Sequence, residues 1–206
     1  MERECELVDA WRSGDERAGE ALVEAYFPAL LRFVRTKIDH GVEDLIQSTF
    51  LACLEGRERF QGRASFRAYL FGIARHLLYE RYWQRAQHDG DFLAERSSVA
   101  DLVTGVSTLV RRRSDQQQLH RALQCIPVEQ QIILELYFWE SMTAREIGEV
   151  FDQPEGSIRT KIRRARIALR ERIEALDGGE QFESIPREGS TEAWAHAIRE
   201  RWSAPA

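Results

Sequence analysis

Three features of this 206-residue sequence predict an all-helical protein built as two small domains. Apolar residues recur at spacings of three and four along nearly the whole chain, and no run alternates apolar and polar residues in the manner of a half-buried strand. The periodicity fades once, between about Ala86 and Asp115. The boundaries that follow are a first helical domain over 1–85, a flexible linker over 86–115, a second helical domain over 116–176 and a C-terminal helical tail over 177–206.

The first domain opens with a short helix carrying Leu7, Val8 and Trp11. Asp15 is then placed as an N-cap, followed by Ala18, Leu22, Ala25 and Tyr26 on one face. Pro28 is expected to end or kink that helix, because a proline has no amide proton and crowds the preceding turn. A further helix carries Leu30, Leu31, Val34 and Ile38, and His40-Gly41 separates it from another in which Val42, Leu45, Ile46, Phe50 and Cys53 face inward. "RERFQGRAS" reads as a loop centred on Gly62, with Ser65 capping a long helix from Phe66 to about Arg85. Its expected core stripe is Phe66, Leu70, Ile73 and Leu77.

In the second domain Leu119, Ala122, Leu123 and Ile126 form one stripe, Pro127 suits a first-turn position, and Ile133, Leu136 and Tyr137 form the next. Thr143 and Glu146 have the spacing of a capping box. Asp152-Gln153-Pro154 interrupts the helix they begin, and a last helix carries Ile158, Ile162, Ala165, Leu169 and Ile173 inward. Two helices about a tight turn, the second strongly basic, form the layout of a helix-turn-helix. In the tail, Trp194, Ile198 and Trp202 fall on one helical face, which is expected to dock on the domains or on a partner.

Composition narrows the function. No run of about 18 apolar residues is present to span a bilayer, and the acidic start "MERECELVDAW" is unlike a signal peptide, so no membrane insertion and a cytoplasmic location are expected. Cys5, Cys53 and Cys125 lie far apart without the paired spacing of a disulfide framework or a zinc site. The five histidines are scattered, and neither a Gly-rich phosphate loop nor a GxSxG sequence occurs, so no cofactor, metal site or catalytic residue is expected and the chain reads as a non-enzyme.

Charge is unevenly placed. Residues 156–172 hold Arg159, Lys161, Arg163, Arg164, Arg166, Arg170 and Arg172 against Glu171 alone, a net of +6 on a chain of net −5, so the remainder carries −11. At about 100° per residue, Arg159, Arg163, Arg166 and Arg170 line one flank of the apolar stripe, and Ser157, Lys161 and Arg164 lie round the other side. Arginine can fork onto a guanine edge, flanking cations can neutralise phosphates, and Ser157 and Thr160 near the helix start can reach bases or backbone. A basic run alone is usually a solvated face; here the interrupting turn and the near absence of i,i+4 acids favour a DNA reader. In the first domain, the helix "SFRAYLFGIARHLLYERYWQR" interleaves arginines with Tyr69, His76, Tyr79, Tyr82 and Trp83, a mixture suited to single-stranded nucleic acid.

From about Leu7 to Ile173 the chain resembles a bacterial sigma factor of the extracytoplasmic-function (ECF) class, the short type with two domains. The stretches that carry the likeness, in order, are "SGDERAGEALVEAYFPALLRFV", "VEDLIQSTFLACL", "RFQGRASFRAYLFGIARHLLYERYWQR" and "LHRALQCIPVEQQIILELYFWESMTAREIGEVFDQPEGSIRTKIRRARIALRERI". The resemblance implies binding to core RNA polymerase through its beta-prime clamp and beta flap, with Asp44, Leu45, Gln47 and Ser48 at the polymerase contact. It implies capture of a flipped base of the minus-ten element by the loop holding Gln61, Gly62, Arg63 and Ser65, with Arg67, Arg75, His76 and Arg81 along that strand. It assigns Ser157, Arg159, Thr160, Lys161, Arg163, Arg164 and Arg166 to the minus-thirty-five element in duplex DNA. An anti-sigma factor is a further partner it implies, and the acidic first half of the linker is expected to mimic nucleic acid in the polymerase cleft.

Several positions depart from the family's usual pattern: His76 and Glu80 stand where Asn and Asp are common, Gly72 where Arg is, Tyr69 where Trp is, and Lys161 where Arg is. The first-domain departures bear on which minus-ten sequence is read, and Lys161 gives up the bidentate fork of an arginine. The competing expectation is a stand-alone dimeric helix-turn-helix regulator, which would bind a palindrome without polymerase.

Overall fold

The computed structural model describes residues 2–60, 62, 64–86, 92–102 and 115–176, and every regular element among them is helical. Two compact units result, Met1–Phe92 with Arg145–Glu155, and Leu93–Ala144 with Gly156–Ala206. The eleven residues 145–155, expected in the second domain, are therefore grouped with the first. The tail face of Trp194, Ile198 and Trp202 lies outside the described residues.

The first unit contains α1 (Glu2–Arg12), α2 (Glu16–Arg35), α3 (Val42–Glu55), a 3-10 turn over Arg57–Arg59, and α4 (Phe66–Ala86). Asp15 caps α2 as its sequence position predicts, its carboxylate accepting from the amides of Arg17 at 2.9 Å and Ala18 at 3.3 Å. Pro28 does not end the helix. It lies within α2 with Glu24, whose carbonyl loses its usual donor, and both residues are exposed, so water is at hand for that carbonyl. Burial of Leu30, Phe33 and Val34 holds the following turns in place.

Aromatic rings from separate elements close the core of this unit. Trp11 of α1 meets Phe66 of α4 edge-on at 5.3 Å, and Phe60, just after the 3-10 turn, meets Phe66 at 6.3 Å. Ala18, Leu22, Cys53 and Leu70 complete the cluster. The buried stripe of α4 is Phe66, Leu70, Phe71, Ala74, Leu78 and Tyr82, whereas the expected Ile73 and Leu77 are only half-buried. The wider stripe is explained by α4 packing on both α2 and α3, which asks for more than one column of apolar residues.

In the second unit, residues expected to be linker are partly folded. The Ala94 carbonyl accepts from the Glu129 amide at 3.0 Å and the Ser97 carbonyl from the Val128 amide at 2.9 Å, beside an isolated antiparallel bridge between Ser98 and Pro127. A single helical turn, α5 (Val99–Leu102), follows, with Val99 buried. Pro127 precedes α7 (Val128–Phe138) and leaves its first amides open to these carbonyls.

The core of this unit joins α6 (Asp115–Gln124), α7 and α9 (Glu155–Leu176) through Leu119, Ala122, Leu123, Ile126, Leu134, Phe138, Ala165, Leu169 and Ile173. α7 is buried over most of its circumference rather than on one stripe, which "VEQQIILELYF" makes feasible because its two buried acids find partners. Glu135 accepts from Gln131 at 2.9 Å, and Glu129 pairs with Lys161. On α9 the buried residues are Ile158, Ile162, Ala165, Leu169 and Ile173, as the periodicity predicts.

α8 (Ala144–Phe151) belongs to the first unit from Arg145 onward. It stops at Asp152, which adopts a left-handed φ of 53°, and the Gln153 amide folds back to the Gly148 carbonyl at 2.9 Å. A Cβ on Gly148 would come within 2.6 Å of the Gln153 carbonyl oxygen, so the turn requires glycine there. Pro154 then leads directly into α9.

Candidate nucleic-acid and polymerase interfaces

The basic helix α9 turns Ile158, Ile162, Ala165, Leu169 and Ile173 inward, leaving Ser157, Arg159, Thr160, Arg163 and Arg164 exposed. The Thr160 hydroxyl donates to the Gly156 carbonyl at 3.1 Å, which fixes its rotamer at the start of this surface. Arg166 is half-buried, and its pKa is pushed down by that burial and by the neighbouring Arg170, with Tyr137 opposing the shift.

Lys161 behaves differently from its neighbours. Its ammonium lies 2.6 Å from Glu129 Oε1, with the two side chains only 23% and 11% exposed. That ion pair ties α9 to α7, so the side chain expected at a phosphate already has a partner within the chain. The acid that pairs with Lys161 comes from another element, 32 residues earlier, where spacing within α9 gives no sign of it.

Around α4 the expected strand-contacting residues are mostly engaged within the protein. Ser65 caps the helix, its hydroxyl accepting from the Ala68 amide at 3.1 Å, while its own amide donates to Glu149 Oε2 at 3.4 Å. The guanidinium of Arg67 donates to Glu146 Oε1 at 3.0 Å, with both side chains about three-quarters covered. Arg75 lies over the Phe151 ring at 4.8 Å and the Tyr79 ring at 5.5 Å. Its Nε is buried without a hydrogen-bond partner.

Arg81, assigned to the DNA strand from the resemblance, instead donates to the carbonyls of Gly41 at 3.2 Å and His40, fastening α4 to the α2–α3 turn. Tyr82 is fully buried, its hydroxyl donating to the Lys37 carbonyl at 2.6 Å, so it offers no ring for stacking. His76 and Trp83 remain exposed. Gly62 is exposed with a left-handed φ of 67°, and Gln61 and Arg63 lie outside the described residues. An open polar cleft of about 380 Å³ is lined by Asp9, Arg12, Ser13, Arg57 and Glu58, and Arg12 approaches the site of a Gly62 Cβ to 3.8 Å.

On α3, Asp44, Gln47 and Ser48 are exposed along one face, together with Leu51 and Leu54, which are 54% and 52% exposed. Leu45 does not join them: it is 5% exposed and faces inward, as the α3 core pattern itself required. The apolar part of this surface is therefore Leu51 and Leu54. Elsewhere, burial pushes the Cys53 thiol up to about 12, whereas Cys5 is exposed. No group of three or more His, Cys, Asp or Glu that could hold a metal ion occurs among the described residues, and no described helix is long and apolar enough to cross a membrane.

The residues that sequence reasoning missed are Glu146, Glu149 and Phe151 of α8. The two acids are three positions apart and share a helix side, but nothing local identifies their partners, which lie about 80 residues earlier in the chain.

Residues 22–88 match Sigma-70 region 2 and residues 116–169 match Sigma-70 region 4. The ECF RNA polymerase sigma-E factor of Salmonella typhimurium is 23% identical over 179 residues, covering 82% of this chain and 94% of that protein. Two solved structures are also similar: CnrH in complex with the cytosolic domain of CnrY (TM-score 0.61, 22% identity, 84% of this chain and 97% of that one), and the sigma factor RpoE in complex with the anti-sigma factor NepR from Bartonella quintana (TM-score 0.59, 21% identity, 75% and 96%).

Proposed function

The chain belongs to the sigma-70 family as an ECF sigma factor that directs RNA polymerase in promoter-specific initiation, and we propose a division of that work among its surfaces. α9 reads the minus-thirty-five element as duplex DNA, using Arg159 and Arg163 at base edges and Arg164 with the Ser157 and Thr160 hydroxyls at the backbone. The observation that carries this is the separation on one helix of a buried apolar stripe from exposed arginines at its N-terminal half. Lys161 acts through α9's position rather than on DNA.

The minus-ten strand is held where the loop containing Gly62 meets the start of α4. A displaced base enters the polar cleft beside the loop, Arg67 and Arg75 receive the backbone, and exposed Trp83 offers a stacking face. Extruding a base costs a few kcal/mol, so a cleft formed before DNA arrives favours strand separation. Core polymerase docks on Asp44, Gln47 and Ser48 of α3, with Leu51 and Leu54 as the apolar centre of the contact. Sigma factors are typically non-enzymatic, and here too the polymerase performs the chemistry while this chain binds and separates strands in the cytoplasm. An anti-sigma factor, the kind of partner held by the Bartonella relative, is proposed as well.

Transcription in vitro from a genomic fragment library, with sigma-free core polymerase and this protein, tests the reading. New start sites preceded by two spaced elements are expected. Polymerase-independent binding to a palindrome without new starts would favour the dimeric regulator instead.

A further inference from the structure

The contacts between α8 and the start of α4 are those a nucleic-acid backbone would make, with carboxylates in place of phosphates. Glu149 accepts from the Ser65 amide, a free donor at a helix start, and Glu146 accepts from the Arg67 guanidinium. Phe151 lies under the Arg75 cation as an aromatic base would. The two helices are also neighbours at Gly72, where a Cβ would sit in ordinary van der Waals contact, 3.8 Å, with the Val150 carbonyl oxygen, so the further carbons of a leucine there would press on α8.

From these three contacts we propose that the Ser65 amide and Arg67 form a phosphate site for the nontemplate strand, closed in the free protein by Glu146 and Glu149 of α8. Strand and helix compete for the same donors, so α8 must leave before single-stranded DNA can bind. This rests on the minus-ten assignment of α4 above and adds to it a restraint within the chain. The acids occupy the strand site when no promoter is engaged, which disfavours nonspecific single-stranded binding. Engagement of α8 elsewhere would free the site.

The test measures binding of the full-length chain to a fluorescently labelled single-stranded oligonucleotide of mixed sequence, by anisotropy at fixed salt. Glu146→Gln with Glu149→Gln is expected to bind about tenfold tighter than wild type, because two charge-assisted contacts no longer compete with phosphate. Gly72→Leu, which opens the contact without changing charge, is expected to tighten binding too. Glu20→Gln with Glu24→Gln on the exposed side of α2 changes net charge equally and is expected to leave binding where it was. Adding Arg67→Ala to the α8 double variant should remove the gain. Circular dichroism confirms that each variant is folded.

No gain in either opening variant, the same gain in the α2 control, or a gain that survives Arg67→Ala overturns the proposal. Promoter-dependent transcription by the wild-type chain separates the two levels. If it initiates normally while the opening variants bind as wild type does, the restraint is overturned and the promoter function stands. If initiation itself is absent, the minus-ten assignment fails with it.

Discussion

Two cationic helices in this chain meet opposite fates. On α9 the arginines at 163 and 164 are exposed beside an apolar stripe, while on α4 Arg67, Arg75 and Arg81 are met by a carboxylate, aromatic rings and backbone carbonyls of the same chain. The difference shows that a basic sequence identifies cations without saying whether they are available. α9 presents exposed cations suited to duplex DNA, whereas on α4 the guanidinium groups of Arg67 and Arg81 are already hydrogen-bonded within the chain.

The largest effect expected from breaking this contrast lies on the open helix. Arg159→Ala with Arg163→Ala should cost about 1–3 kcal/mol per lost base contact in binding to a cognate minus-thirty-five duplex, with polymerase affinity unchanged. Titration against cognate and scrambled duplexes checks this; equal losses on both would make these arginines phosphate contacts rather than base readers.

Lys161→Ala should act on stability instead. It leaves the buried Glu129 without its ammonium partner, so unfolding by urea should reveal a loss of about 2 kcal/mol while the salt dependence of duplex binding keeps its slope. A shallower slope would return Lys161 to the phosphate-contacting set.

On the closed helix, Tyr82→Phe removes the bond to the Lys37 carbonyl and should cost about 1 kcal/mol of stability without altering stacking on DNA, because the ring is buried. The smallest effect concerns Cys53. With its thiol held up to about 12 from an ordinary 9.0, its contribution to stability is full below pH 9 and is lost as pH rises from there towards 12. Thiol-reactive probes at neutral pH should label Cys5 while sparing Cys53; fast labelling of Cys53 would contradict its place in the core.

Sequence periodicity located the inward face of α9 residue by residue, because one apolar stripe against one core leaves a clean pattern. It fared less well where a helix has several neighbours. α4 buries Phe71, Ala74 and Tyr82 beyond the expected stripe, and α7 is buried over most of its circumference, since each is packed from more than one side. Pro28 reads as a break, yet tertiary burial of Leu30, Phe33 and Val34 carries α2 through it. The site residues were legible as types and positions, but their partners were not. Lys161 with Glu129 spans 32 residues and Arg67 with Glu146 spans 79, separations at which local spacing carries no information. Leu45 shows the reverse case, where the core pattern of α3 already argued for burial against the contact implied by resemblance.

The division between the two helices is tested most directly by permanganate reactivity of thymines, read alongside a footprint, on one promoter bound by holoenzyme. Arg67→Ala should preserve protection of the minus-thirty-five element and lose thymine reactivity in the minus-ten element, whereas Arg159→Ala with Arg163→Ala should lose both. Full minus-ten reactivity with Arg67→Ala, or full minus-thirty-five protection without the two α9 arginines, would contradict the account.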